Sequence, residues 1–279
     1  MAGDYNKSVL VTGCSSGIGR ASADLLKDEG FRVFATARTR EDIDELVNAG
    51  FETINLDVSD SQSVRNCMVE VNQACGGKLF GLVNNAGIGQ PGALEDISRE
   101  TLEKQFQVNV FGCHQLTRLA LRMMREQGAG RIVQISSMLG FVALPYFGAY
   151  NASKYALEGL SDTLRLELMG SGIFVSLVEP GPIESHFRNT ATSLFTEEIT
   201  AGGSAHQQAY QKMQERYRSG RATSRFELGP EKVADVVLKA MTSAKPKARY
   251  RVTTPARVTA VLKRLLPTRW LDQAMLRFG

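Results

Sequence analysis

Tyr150 and Lys154, four residues apart in YNASK, are the side chains of this 279-residue chain best placed for proton chemistry. On a helix they share one face. A free phenol titrates at about 10 and so holds its proton at neutral pH. A cation alongside favours the phenolate and lowers that value, which would make the pair a donor able to protonate a carbonyl oxygen. Taken locally, the pair could equally be an ordinary helix-surface pair, so the rest of the chain has to decide. The three histidines offer less. His114 lies among apolar neighbours in a long helical pattern and reads as packing, and His206 lies in a polar stretch and reads as solvated. His186 stands at the entrance of a loosely patterned segment, where it either touches substrate or only flanks it.

The elements that must position the pair alternate regularly. Short apolar, β-branched runs at 8–13, 31–38, 51–58, 79–87, 130–137 and 174–181 read as strands, each followed by a helical pattern. Among the helices, 40–49 is polar, 99–127 is long, and 148–170 carries YNASK. Strands apolar at nearly every position imply a parallel sheet covered on both faces. That is a doubly wound, Rossmann-like α/β fold, with ligand expected at the carboxyl ends of the strands. After Gly181 the pattern loosens, and residues 182–229 read as a lid inserted at the end of a strand. A helix at 230–243 and a short strand near 249–253 follow, so one domain of about seven strands is expected over the whole chain.

TGCSSGIG sets Gly13, Gly17 and Gly19 directly after the first strand and into the first helix. Glycines allow a tight turn and a close backbone, and the free N–H groups and dipole of a helix N-terminus favour a pyrophosphate. At the end of the second strand a site for NAD usually offers an acid to the ribose hydroxyls. This chain offers TARTR, with Arg38 and nearby Arg40 but no acid. A guanidinium suits a 2′-phosphate in charge and in shape, so NADP(H) is the expected cofactor, with Ser15 or Ser16 as auxiliary donors.

TGCSSGIG (12–19), LDV (56–58), NNAG (84–87), Asn109 in FQVNVFG, GRIVQISS (130–137), YNASK (150–154) and PGPIES (180–185) together resemble the short-chain dehydrogenases/reductases. The last motif more often ends in Thr where this chain has Ser185. Within the family the sequence looks most like the hydroxysteroid and retinol dehydrogenase branch and its bacterial relatives that reduce aldehydes with NADPH. The resemblance makes Tyr150 the acid/base, and has Lys154 lower its pKa and hold the nicotinamide ribose. Ser137, rather than Ser136, would orient the substrate oxygen, and Asn109 would interrupt its helix and hold a water linking Lys154 to solvent. Cofactor contacts are implied for Gly13, Ser15, Ser16, Gly17, Ile18 and Gly19 in the loop. They are likewise implied for Asp57 and Val58 at the adenine, for Asn85, Ala86 and Gly87 beside its ribose, and for Pro180, Gly181, Ile183 and Ser185 around the nicotinamide.

The stretch MLGFVALPYFGAY after Ser137, with Phe187, Leu194 and Phe195 beyond it, is greasy enough for an aliphatic or aromatic carbonyl. The expected activity is reduction of an apolar aldehyde or ketone and the reverse. A hydroxysteroid or retinol dehydrogenase is the alternative, and a non-catalytic NADP-binding regulator the rival of a different class. Cys14, Cys67, Cys75 and Cys113 form no C-x-x-C pair, so no metal is expected, and a reducing, cytoplasmic setting is. From Lys239 onward ten bases face one acid, a net of +9, while the rest of the chain holds 23 bases and 28 acids, a net of −5. Nucleic acid is therefore disfavoured as a partner. The basic, apolar tail 254–279 is a solvated helix pair packed on its own domain, or it covers the pocket, packs at a subunit contact of a dimer or tetramer, or rests peripherally on an anionic membrane.

Overall fold

Side chains of successive strand residues point to opposite faces of a sheet. In a computed structural model describing residues 7–184, 187–199, 203–218 and 226–278, both faces are filled. The first half runs β1 (Ser8–Val11), α1 (Gly17–Asp28), β2 (Arg32–Ala37), α2 (Arg40–Asn48), β3 (Glu52–Asn55), α3 (Ser61–Ala74) and β4 (Gly81–Asn84). Next come α4 (Arg99–Phe106), α5 (Cys113–Gln127), β5 (Gly130–Ile135), α6 (Gly148–Glu167) and β6 (Ile173–Glu179). The chain ends with α7 (Phe187–Glu198), α8 (Gln207–Arg218), α9 (Glu231–Thr242), β7 (Arg249–Arg251), α10 (Thr254–Leu265) and α11 (Thr268–Phe278).

The seven strands are all parallel in the order β3-β2-β1-β4-β5-β6-β7, as the alternation predicts. Val9 and Val11 pack with Leu26 of α1 and Val237 of α9 on one face. Leu10 packs with Val71 of α3 and Leu116 of α5 on the other. The order reverses between β1 and β4, and the resulting crevice is where a doubly wound sheet binds its ligand. The strands end a few residues before the apolar runs do, because the last residues leave the ladder to build the loops of the site. Gly30 closes α1 in the left-handed region (φ +79°), as expected of a helix-terminating glycine.

One element departs from expectation. The single helix foreseen over 99–127 is three segments, with a π-helical stretch, Gln107–Gly112, between α4 and α5. Gly112 explains why the wide turn fits there: a Cβ on it would lie 1.9 Å from the Val58 carbonyl oxygen. The π stretch thus presses on the loop after β3 and carries Asn109 toward the site.

Candidate active site

The glycine loop is built for an anion. Gly13 and Gly17 adopt positive φ (+70° and +56°), open to glycine at little steric cost. A Cβ on Gly19 would fall 2.0 Å from the Gly13 carbonyl oxygen, so the first turn of α1 packs on the loop only without a side chain. The N-cap residue Ser16 makes no side-chain cap, and the first turn holds no acid. These uncapped N–H groups, on a cradle that a Cβ would fill, fit a dinucleotide pyrophosphate.

Thr12 is a residue the sequence did not single out. Its buried hydroxyl accepts from the Asn85 N–H (2.9 Å) and the Ala86 N–H (3.0 Å), while the Asn85 amide donates to the carbonyls of Thr12 (2.9 Å) and Gly13 (3.0 Å). The loop after β4 is thereby clamped to the loop after β1. At the end of β2, Arg40 pairs with Asp44 one turn along α2 (3.1 Å), whereas Arg38 is exposed and its guanidinium makes no ion pair among the described residues. Of the two arginines, Arg38 is the one free to meet a phosphate. Asp57 binds the Ser59 N–H (2.9 Å) and hydroxyl (2.6 Å) through Oδ1, holding the turn after β3 on the same side of the sheet.

Asn109 clasps one peptide in both directions. Its Oδ1 accepts from the Ile88 N–H and its Nδ2 donates to the Ile88 carbonyl, both at 2.9 Å. The same Nδ2 donates to Ser153 Oγ (3.0 Å), and Ser153 in turn donates to the Tyr150 carbonyl (2.8 Å). Gln105 repeats the bond to the Ile88 carbonyl at 2.8 Å. Gln105 and Ser153, neither expected from sequence, join the loop after β4 to the helix that carries Tyr150 and Lys154. A Cβ on Gly87 would meet Asn109 Oδ1 at 3.2 Å and Lys154 Nζ at 3.8 Å, so those two groups face each other across this glycine.

Tyr150, Lys154 and Ser137 come together at the carboxyl ends of β5 and β6. The Ser137 hydroxyl lies beside the Tyr150 phenol, where it favours the ionised form, and accepts from the Leu139 N–H at 3.1 Å. Lys154 sits on the same face of α6, its Nζ 5.7 Å from the Tyr150 ring centroid and donating to the Ile135 carbonyl at 2.7 Å. Burial pushes the phenol up to about 12 against the pull of Ser137, and burial pulls the Lys154 ammonium down to about 8. The expected lowering of the phenol by Lys154 is therefore not what the protein's own groups produce. Burial sets the direction of the phenol's shift, and Lys154 spends a proton on the Ile135 carbonyl rather than on the phenol. Behind Lys154, one turn along α6, Glu158 is also buried and pushed up to about 7 by that burial.

The family model for short chain dehydrogenase matches residues 7–194, which covers every site element from the glycine loop through the PGPI loop. The chain belongs to the short-chain dehydrogenase family. Over 270 residues it is 45% identical to the uncharacterized oxidoreductase YbbO of Escherichia coli, covering 96% of this chain and 94% of that one. It is 35% identical to the rat (Rattus norvegicus) 17-beta-hydroxysteroid dehydrogenase type 6, covering 96% and 87% of the two chains. It is 34% identical to an NADPH-dependent 3-dehydrocapnine reductase of Ornithobacterium rhinotracheale, covering 95% and 94%. Among solved structures, a short-chain dehydrogenase of Burkholderia phymatum in complex with NAD superposes with a TM-score of 0.77 at 28% identity, covering 94% and 93%. This short-chain dehydrogenase is thus an oxidoreductase of the hydroxysteroid and retinol dehydrogenase branch.

Several expectations about the walls of the site need adjusting. Phe187 does lie over the reactive phenol, ring centroids 5.4 Å apart. Phe195, expected beside it, packs instead with Ala93, Ile199 and Tyr210 and ties α7 to α8 and the loop after β4. His206 is partly exposed, as a polar stretch suggests, but it also bonds Glu95 (2.6 Å) and reaches the Tyr146 hydroxyl (3.4 Å), because α8 docks on the turn at 94–96. Beside it Tyr210 donates to Asp96 and accepts from the Ala93 N–H at 3.0 Å. His114 is exposed rather than packed, since it lies on the solvent side of α5. Pro180 accepts from the Met138 N–H (2.8 Å), and Ile183 bridges to Leu228, which brings the chain before α9 back to the PGPI loop. Ser185 and His186 lie outside the described residues. The four thiols are free and buried, in keeping with apolar filler.

Proposed function

We propose that this protein is an NADP(H)-dependent oxidoreductase that reduces the carbonyl of an apolar aldehyde or ketone, and runs the reverse, with Tyr150 as proton donor. The observation that carries this is the convergence of Ser137 and Tyr150 beneath Phe187, with Lys154 on the same helix face. Gly13, Ser15, Ser16, Gly17, Ile18 and Gly19 would hold the pyrophosphate, and Asp57, Val58, Asn85, Ala86 and Gly87 the adenosine half. Lys154, Pro180, Gly181, Ile183 and Ser185 would surround the nicotinamide and its ribose, and a bound nicotinamide would supply or accept the hydride. The protein's own part is acid–base and positional. Ser137 holds the substrate oxygen beside the phenol, and Tyr150 gives it the proton, which burial keeps in place until transfer. Lys154 supplies positive charge as phenolate character develops. The apolar cluster around Tyr150 favours an oily carbonyl, and the similarity to a hydroxysteroid dehydrogenase makes steroids the second class to assay. Four buried free thiols suit a cytoplasmic enzyme.

Two measurements bear on this. Arg38→Asp should weaken the preference for NADPH over NADH by roughly ten- to a hundredfold, the worth of a lost charge-assisted contact. An unchanged ratio of kcat/KM for the two cofactors would remove Arg38 from the site. The second is a pH profile. Lys154 is charged below about 8, and Glu158 helps to raise its pKa against burial. Reduction should therefore fall as pH rises through about 8. In Glu158→Gln that limb should move to lower pH, because the carboxylate that favours the ammonium is gone. A limb that stays put would show that Lys154 does not report on Glu158.

A further inference from the structure

The outward side of the two tail helices is apolar and cationic together. On α10 the exposed residues Val258 (43%), Val261 (55%) and Leu265 (73%) fall at i, i+3 and i+7, a single stripe facing away from the domain. On α11, Trp270 and Leu276 are 64% and 65% exposed. Arg257, Arg264, Arg269 and Arg277 flank these residues and are exposed. Asp272 is the lone acid of the tail from 254 onward. The inward side is different in kind: Ala256, Leu271 and Met275 pack in the cluster that contains Tyr150 and Phe187. Arg249 and Arg251, counted in the basic tail by sequence, belong to neither surface, because they pair with buried Glu179 at 2.9 Å.

We propose that the outer face of α10 and α11 docks on an anionic lipid surface, with the helices lying in the interface and the pocket's tail-side wall directly behind them. Charge selects this occupant. A second copy meeting the face by a twofold axis would set guanidiniums against guanidiniums, with only Asp272 to answer them. An anionic bilayer complements all four, and accepts the apolar stripe and the indole of Trp270 at its interface. The docking needs no spanning segment, and no helix among the described residues is long and apolar enough to cross a membrane. Each cation near such a surface strengthens partitioning by about fivefold.

The test uses the full chain and vesicles, with no substrate, so its outcome is separate from that of the catalytic assignment. The protein should sediment with vesicles of equal parts phosphatidylcholine and phosphatidylglycerol at low salt, and be released by high salt. It should not sediment with phosphatidylcholine alone. Arg264→Glu with Arg269→Glu should weaken binding at least roughly twentyfold. Leu265→Ser with Trp270→Ser should weaken it as well, while the melting temperature stays unchanged in both variants. Equal binding to neutral and anionic vesicles, binding that survives the charge reversal, or no binding to either vesicle would overturn the proposal. So would a dimer in equilibrium sedimentation that the same arginine changes dissociate, since that would make the face a subunit contact.

Discussion

Tyr150→Phe should lower the rate of carbonyl reduction by about a hundred- to ten-thousandfold, the usual range for removing a positioned general acid. The loss should appear in kcat, with the affinity for NADPH near that of the parent, because the glycine loop, Thr12 and Arg38 lie on other elements. The change removes only the hydroxyl that meets Ser137, and the ring still packs against Phe187 in the buried cluster. Stability should consequently change little, which separates loss of chemistry from loss of fold. Stopped-flow cofactor titration beside steady-state turnover makes the distinction. A variant that binds NADPH normally and still turns over at the parental rate would mean that another group delivers the proton. If the parent itself turns over nothing in a broad panel of aldehydes, ketones, steroids and retinoids, a regulatory NADP-binding role becomes the better account.

Glu179→Ala should cost about 3 kcal/mol of stability, the low end of the range for breaking a buried ion pair from one side. Glu179 is almost fully buried at the end of β6, with Arg249 and Arg251 of β7 each placing Nε 2.9 Å from its carboxylate. Its removal leaves two guanidiniums beside a cavity. Arg249 keeps partners in Glu158 (3.0 Å) and Asp162 (2.6 Å), and both arginines are about a third exposed, which holds the loss to the low end. In a domain of this size the melting temperature should fall by roughly 6–12 °C. A fall of a degree or two would show that water compensates the pair. The position has a catalytic consequence too. Glu179 directly precedes Pro180 and Gly181, and a Cβ on Gly181 would lie 2.2 Å from Thr253 Oγ1. The ion cluster thus stitches the edge strand and the tail to the loop expected to hold the nicotinamide.

Much of this molecule was legible in sequence because its signals are local. Apolar runs separated by helical patterns, with glycines at the first turn, are the direct imprint of a parallel sheet covered on both faces. The spacing of Tyr150 and Lys154 places them on one helix face whatever surrounds them. Arg38 at a strand end without an acid is likewise a one-dimensional signal. Residues whose roles depend on distant partners were not legible. Thr12 is an ordinary threonine until it clamps the loop after β4. Ser153 looks like helix filler until Asn109 reaches it from the π stretch, and Glu179 looks like a strand-end acid until β7 brings up two arginines. Burial decided the electrostatics as well. Adjacency on a helix says that Lys154 should lower the phenol's pKa, but desolvation is set by the whole shell of neighbours, and here it pushes the two groups the other way. Local patterns along the chain suffice for the family, the sheet and the side chains available at YNASK. The folded chain settled that the segment after Gly181 packs on the turn at 94–96 and that the tail turns one face to Tyr150 and the other to solvent, because both depend on contacts between segments far apart in the chain.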